Sequence, residues 1–137
     1  GVSLEAGHKV AARVSEAKVE PAEWILSTVQ SVQGNKYLVS DDDDPTGATV
    51  HTLAQSALIP LPLTEPSIFL RQHEHKEGSS VLAMFPDTTC FYKASVAVAP
   101  SKRRERDYMV EFEDDVDADG RSQWRRVPVK YVVAMPR

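Results

Sequence analysis

The chain has one cysteine, Cys90. That excludes an internal disulfide frame and a cysteine zinc site, and it fits a reducing compartment. No apolar run approaches bilayer-spanning length, so no membrane partner is expected. Basic charge is not in excess either. Sixteen Lys and Arg stand against 20 Asp and Glu, a net charge of -4. General affinity for nucleic acid is therefore not expected, and a basic partner is favoured. A glycine-rich phosphate loop, a zinc-hydrolase helix and a Gly-x-Ser-x-Gly elbow are all missing. Cys90 has no His or Asn partner in its sequence context, so a nucleophile is unsupported. The expectation is a non-enzyme with no cofactor.

What is present is ordinary for a folded protein: 42% hydrophobic and 26% charged residues over 137 positions, enough for one medium domain or two small ones. The chain opens on Gly1 rather than Met and is read as a fragment. Its most informative stretch is Val81 to Ala94, VLAMFPDTTCFYKA. Short apolar runs between turn signals predict a strand, a Pro-Asp-Thr-Thr turn, and a second strand from near Cys90. Pro86 suits a strand end, and Asp87, Thr88 and Thr89 can bond local backbone. Phe91 and Tyr92 must face opposite ways, because side chains alternate across a strand. Two readings follow: core aromatics with an edge tyrosine, or an exposed pair, Phe85 and Tyr92, lining a pocket.

In chain order, residues 1–8 read as a lead-in with one helical turn, and Val10–Val14 as a strand. Ser15–Glu23 is a loop, Trp24–Val32 a strand, and Gly34-Asn35 a turn. A strand from Tyr37 runs into Asp41–Asp44, Pro45-Thr46-Gly47 turns, Val50–Leu53 is a short strand, and Ala57–Leu61 closes the unit. The pattern then repeats. Val10 and Ala12 recur as Val81 and Ala83, Tyr37 and Val39 as Tyr108 and Val110, and Asp43-Asp44 as Asp114-Asp115, all at a shift of 71. Leu58-Ile59-Pro60 has a looser counterpart in Tyr131-Val132-Val133. A fixed period sets the fold: two units, 1–66 and 67–137, each of about five short strands. Short strands with little helix imply an all-β fold of small barrels or sandwiches, and units this small are expected to pack on each other. Ile68-Phe69-Leu70, in the linking segment, is read as a short helical turn.

Several motifs resemble sites and fail on detail. Asp115-x-Asp117-x-Asp119-Gly120 opens like a calcium loop, but the position that needs a bidentate glutamate is Arg126. His73-Glu74-His75 lacks a third ligand nearby. Lys102–Arg106 could touch phosphates but has no interleaved aromatics and reads as a solvated hairpin tip. Two clusters remain. In Asp41–Asp44 the plain reading is a solvated acidic turn, yet Asp41 and Asp43 on one side of a strand would make a site for an amine. Phe85, Tyr92 and Phe112, with Asp114 close by, would suit a quaternary ammonium.

These residues carry a resemblance. V-L-A-M-F-P-D-T-T-C-F-Y-K-A, Y-M-V-E-F-E-D-D and V-K-Y-V-V-A, with Y-L-V-S-D-D-D-D, H-T-L and L-I-P-L-P in the first unit, resemble the tandem Tudor domain of the SAGA-associated factor family over nearly the whole chain. The resemblance implies two five-stranded Tudor-type barrels packed against each other. It also implies a nuclear, non-catalytic subunit of a SAGA-type histone acetyltransferase complex that reads the histone-three tail di- or trimethylated at its fourth residue. Carried over, Asp41 and Asp43 match the pocket for the tail's N-terminus. Phe85, Tyr92 and Phe112 match the methyl-lysine cage, and Asp114 its acidic neighbour. Phe85 stands where the family often has Tyr; a Phe there keeps the ring and loses the hydroxyl. Ser40 and Asp42 also depart from the family pattern. The alternative kept open is a barrel module binding methylarginine or nucleic acid.

Overall fold

A computed structural model describes residues 4–16, 18–62 and 74–136. The protein is all-β, as the strand pattern predicts. Its ten strands are β1 (Lys9–Arg13), β2 (Trp24–Gln33), β3 (Lys36–Asp41), β4 (Val50–Ala54), β5 (Leu58–Pro60), β6 (Ser80–Met84), β7 (Cys90–Val98), β8 (Tyr108–Val116), β9 (Ser122–Val127) and β10 (Val132–Ala134). Only short 3₁₀ turns, at 55–57, 100–102 and 129–131, interrupt them among the described residues. The chain divides into two compact units, 1–61 with 89–91, and 62–88 with 92–137.

In the first unit the strand order is β5-β1-β2-β3-β4. Ile25 and Trp24 also pair with Cys90 and Phe91, and the Leu26 amide donates to the Thr89 carbonyl at 2.8 Å. The core is Leu4, Val10, Ala12, Ile25, Val29, Val39 and Leu58. Alternation selects these residues: Val10 and Ala12 on β1 share a face, as do Ile25 and Val29 on their own strand. The helical turn expected near the start is instead a single turn closed by the His8 amide on the Glu5 carbonyl at 3.1 Å. It does not propagate because Gly7 takes φ 93°, a left-handed value that glycine adopts without strain.

The second unit repeats this plan, with order β10-β6-β7-β8-β9 and a core of Val81, Ala83, Ala94, Val96, Tyr108, Val110, Phe112, Val127, Val129 and Val132. The duplication extends to backbone detail. Gly7 and Gly78 donate to the Val29 and Val96 carbonyls, both at 2.8 Å, and both have positive φ. A bulge falls between Val29 and Ser31 in one unit and between Val96 and Val98 in the other. Val29 faces Val39 and Val96 faces Val110, so β3 and β8 keep the shift of 71 (110 − 39) while β2 and β7 differ by 67 (96 − 29). One correction concerns the last strand. Ala12 faces Leu58 and Ala83 faces Val132, so the true partner of Leu58 is Val132, one residue beyond Tyr131.

Candidate functional site

Matched registers make the two sites comparable. Ser27 faces Asp41 in the first unit, and Ala94 faces Phe112 in the second. Asp41 and Phe112 therefore occupy the same place in two copies of one module, and Asp43 corresponds to Asp114. The same strand end carries acid in one copy and an aromatic ring in the other.

In the first unit β3 ends at Asp41. Asp43 lies in the following turn, so the expected strand alternation does not relate the two. They are brought together by the turn itself, where the Asp41 carboxylate accepts the Asp43 amide at 2.8 Å. Two of the four aspartates are occupied elsewhere. Asp42 accepts from the Thr28 hydroxyl at 2.7 Å and binds the Lys9 ammonium at 2.5 Å. Asp44 accepts the hydroxyls of Thr46 and Thr49, both at 2.7 Å, and their amides at 3.0 and 2.9 Å. Those bonds, the Thr46 hydroxyl first, hold its carboxyl far below the usual carboxylate range. The exposed Asp43 carboxylate has no hydrogen-bond or ion-pair partner among the described residues.

In the second unit Pro86 and Asp87 form the turn after β6. Asp87 takes φ 65°, and the Thr88 amide and hydroxyl both donate to the Phe85 carbonyl, at 3.1 and 2.8 Å. This fixes Phe85 where β6 ends. Its ring is the centre of the aromatic cluster, 5.0 Å from Phe112 at 51° and 6.2 Å from Tyr92 at 89° between centroids. Both separations fall in the range of attractive aromatic pairs. Alternation places Phe91 inside, 1% exposed, and Tyr92 outside, 52% exposed. Phe112 is 3% exposed, so it forms the floor rather than a wall. Lys93 and Glu113, the residues next to the Ala94–Phe112 pair, form an ion pair of 3.2 Å, and Asp114, two residues along β8 from Phe112, is exposed. A recess of about 170 Å³ is lined by Lys93, Ser95, Glu111 and Phe112, but not by Phe85 or Tyr92.

Two residues not foreseen from sequence complete this cluster. Between the Glu111–Trp124 and Val116–Ser122 pairs, β8 runs through Phe112, Glu113, Asp114 and Asp115 while β9 has only Gln123. Such breaks commonly re-aim side chains beside binding sites. Here the break lets Asp115 accept from Arg125 twice, at 2.7 and 3.2 Å, and the Arg125 guanidinium lies over the Phe85 ring, 5.5 Å from its centroid. The Arg125 hydrogen bond holds the Asp115 carboxyl below its ordinary value. The signal available in sequence was a charged residue two positions from Val127, on its face of a short strand.

The other motifs have structural roles. Asp117 accepts the Asp119 and Arg121 amides at 2.9 and 3.0 Å, closing the hairpin, and no cluster of metal-binding side chains exists among the described residues. The basic stretch is mostly exposed, as expected of a solvated tip, except at Arg103. Arg103 and Arg126 both donate to Asp107, at 2.6 and 2.7 Å, and Lys102 donates to Glu77 at 2.7 Å. His73 and the Ile68-Phe69-Leu70 turn lie outside the described residues, while Glu74 accepts from the Ser101 amide at 2.7 Å.

Comparison with known proteins gives a consistent match. The SGF29 tudor-like domain model matches residues 6–136. SAGA-associated factor 29 homolog A of Arabidopsis thaliana is 36% identical over 138 residues, covering 95% of this chain and 50% of that protein. SAGA-associated factor 29kDa of Drosophila melanogaster is 36% identical over 118 residues, covering 84% and 40%. The chain thus spans about half the length of the curated relatives it matches. A crystal structure of Arabidopsis thaliana AGDP1 AGD34 superposes with TM-score 0.51 at 14% identity, over 96% of this chain and 82% of that one, a likeness of fold alone. From a family model matched along almost the whole duplicated fold, and relatives above one-third identity, the chain belongs to the SGF29 tudor-like domain family.

Proposed function

We propose that this chain is a chromatin reader that binds the histone-three tail through two pockets, one for its free N-terminal amine and one for a di- or trimethylated lysine at its fourth residue. The observation that carries this reading is the ring cluster of Phe85, Tyr92 and Phe112; the exposed Asp114, two residues along β8 from Phe112, would supply the acid beside it. A quaternary ammonium has no N–H to satisfy and is attracted to ring faces by about 0.5–2 kcal/mol each. Each methyl removed restores an N–H whose desolvation is unfavourable, so the cluster favours higher methylation. Asp41 and Asp43 would take the amine, a known mode of peptide capture. Asp43 is suited to it by exposure and an unoccupied carboxylate, whereas Asp42 and Asp44 are engaged internally.

A micromolar complex needs about -8 kcal/mol. Two weak contacts on one short peptide can reach that jointly, because the second forms within an existing complex. The relatives' names carry the SAGA association. On that basis the chain is assigned as a nuclear, non-catalytic module that recruits or retains a SAGA-type histone acetyltransferase complex. One observation favours a rival ligand, methylarginine: the Phe85 face already accepts a guanidinium.

The test is calorimetric titration with histone-three tail peptides: unmodified, trimethylated at the fourth residue, trimethylated with an acetylated N-terminus, and dimethylated on arginine. Tightest binding by the trimethylated peptide, lost on acetylation, is the expected result. Equal binding of all four, or preference for the methylarginine peptide, overturns the proposal.

A further inference from the structure

The aromatic cluster already contains a cation. Arg125 covers one face of Phe85 at 5.5 Å, and Phe85 is the ring that contacts both Tyr92 and Phe112. The guanidinium is positioned by Asp115, which binds it through both carboxylate oxygens. The Asp115 side chain is 14% exposed and that of Arg125 36%. This is a fork-to-fork pair with defined geometry, not a loose surface contact. The break in the β8–β9 ladder that frees Phe112 through Asp115 also creates the pair, so pocket floor, rim and guanidinium depend on one backbone feature.

We infer that the Arg125–Asp115 pair sets the affinity and charge selectivity of the Phe85–Tyr92–Phe112 site for methylammonium ligands. This rests on reading that cluster as a cation site. An incoming methylammonium must share Phe85 with a fixed positive charge, which opposes it. Asp115 partly cancels that charge. The two residues therefore act with opposite signs. Without the Arg125 charge, the ring loses its resident cation and Asp115 becomes a free carboxylate at the rim, and both changes favour a cation. Without the Asp115 charge, an uncompensated guanidinium remains over the ring.

Arg125→Met keeps an apolar stem over Phe85 and removes the charge. Like charges about 7 Å apart give roughly three-fold in affinity under bulk-water screening and roughly fifty-fold under the weaker screening near a protein surface, less at high salt. The experiment titrates two cations separately into wild type, Arg125→Met and Asp115→Asn, following Phe85 and Tyr92 ring resonances by NMR. The cations are tetramethylammonium chloride, with sodium chloride as control, and the trimethylated histone-three peptide. A peptide carrying an uncharged tert-butyl analogue of the trimethylated side chain reports on shape without charge.

The expected result is tighter binding of both cations to Arg125→Met, weaker binding to Asp115→Asn, and little change for the uncharged analogue. Unchanged or weaker cation binding by a folded Arg125→Met, or an equal shift for the uncharged analogue, overturns the inference. If tetramethylammonium follows the expected pattern and the peptide does not bind, the histone reading fails and the role of the pair stands. If wild type binds the peptide and neither variant moves either cation, the role of the pair fails and the histone reading stands.

Discussion

Replacing Tyr92 and Phe112 in turn by leucine separates a wall of the aromatic site from its floor. Each change removes a π face and leaves an apolar side chain. Tyr92 is 52% exposed, so its loss costs little packing, about 0.5 kcal/mol including a half-exposed edge contact with Phe85. If its half-exposed ring meets the cation as proposed, at about 0.5–2 kcal/mol, its loss is about a 2- to 30-fold loss of affinity at 25 °C. Phe112 is 3% exposed and packs among Val110, Ala94 and their neighbours in the core. Leucine there keeps most of the volume and costs about 1.5 kcal/mol of stability, whereas truncation to alanine would cost about 3–5 kcal/mol, a large share of a small domain's total. Because so little of the Phe112 ring reaches the surface, its leucine variant should lose less affinity than that of Tyr92. Calorimetry with the trimethylated peptide and urea unfolding of both variants give the two orders: Tyr92→Leu worse in binding, Phe112→Leu worse in stability. A folded Phe112→Leu that binds more weakly than Tyr92→Leu would refute the division into wall and floor.

Asp107, 8% exposed, is predicted to hold the β7–β8 connection through Arg103 and Arg126. Burial pushes its carboxyl up, but the two guanidinium bonds outweigh that and leave it below its ordinary value. A carboxyl lowered on folding adds stability above its unfolded pKa, and that stability is lost as pH falls through the folded value. Asp107→Asn should therefore cost about 2 kcal/mol near pH 7, chiefly through the more buried Arg103, and the gap from wild type in urea midpoint should close on acidification; a constant gap would contradict this. Tyr108 is fully buried, accepts the His75 amide at 2.9 Å, and its phenol is pushed up to about 12 by burial. A raised value stabilises the fold below the unfolded pKa of about 10, and that contribution is lost as pH rises through about 12. Wild type should lose stability over that window, and Tyr108→Phe should lose less, as followed by circular dichroism; parallel curves would argue against the assignment.

Much of this protein was legible in its sequence because strand alternation and turn chemistry are local. The period of two put Phe91 inside and Tyr92 outside. Pro86, Asp87 and Thr88 announced the turn that fixes Phe85, and the shift of 71 between Val39 and Val110 announced a second copy of the module. These signals sufficed for an all-β fold of two five-stranded units. The residue types and their spacing singled out Asp41 with Asp43 and Phe85, Tyr92 and Phe112 with Asp114 as candidate cation sites, and the family resemblance then supplied a ligand for each. Other features depended on tertiary structure because they rest on register, which no short window of residues specifies. The placement of Phe112 where the first unit has Asp41, the engagement of Asp42 and Asp44 by Lys9, Thr28, Thr46 and Thr49, and the Arg125 guanidinium over Phe85 all needed the ladders to be assembled. Asp115 and Arg125 meet because β8 spends four residues against one of β9. A ladder without that break would change which side chains meet.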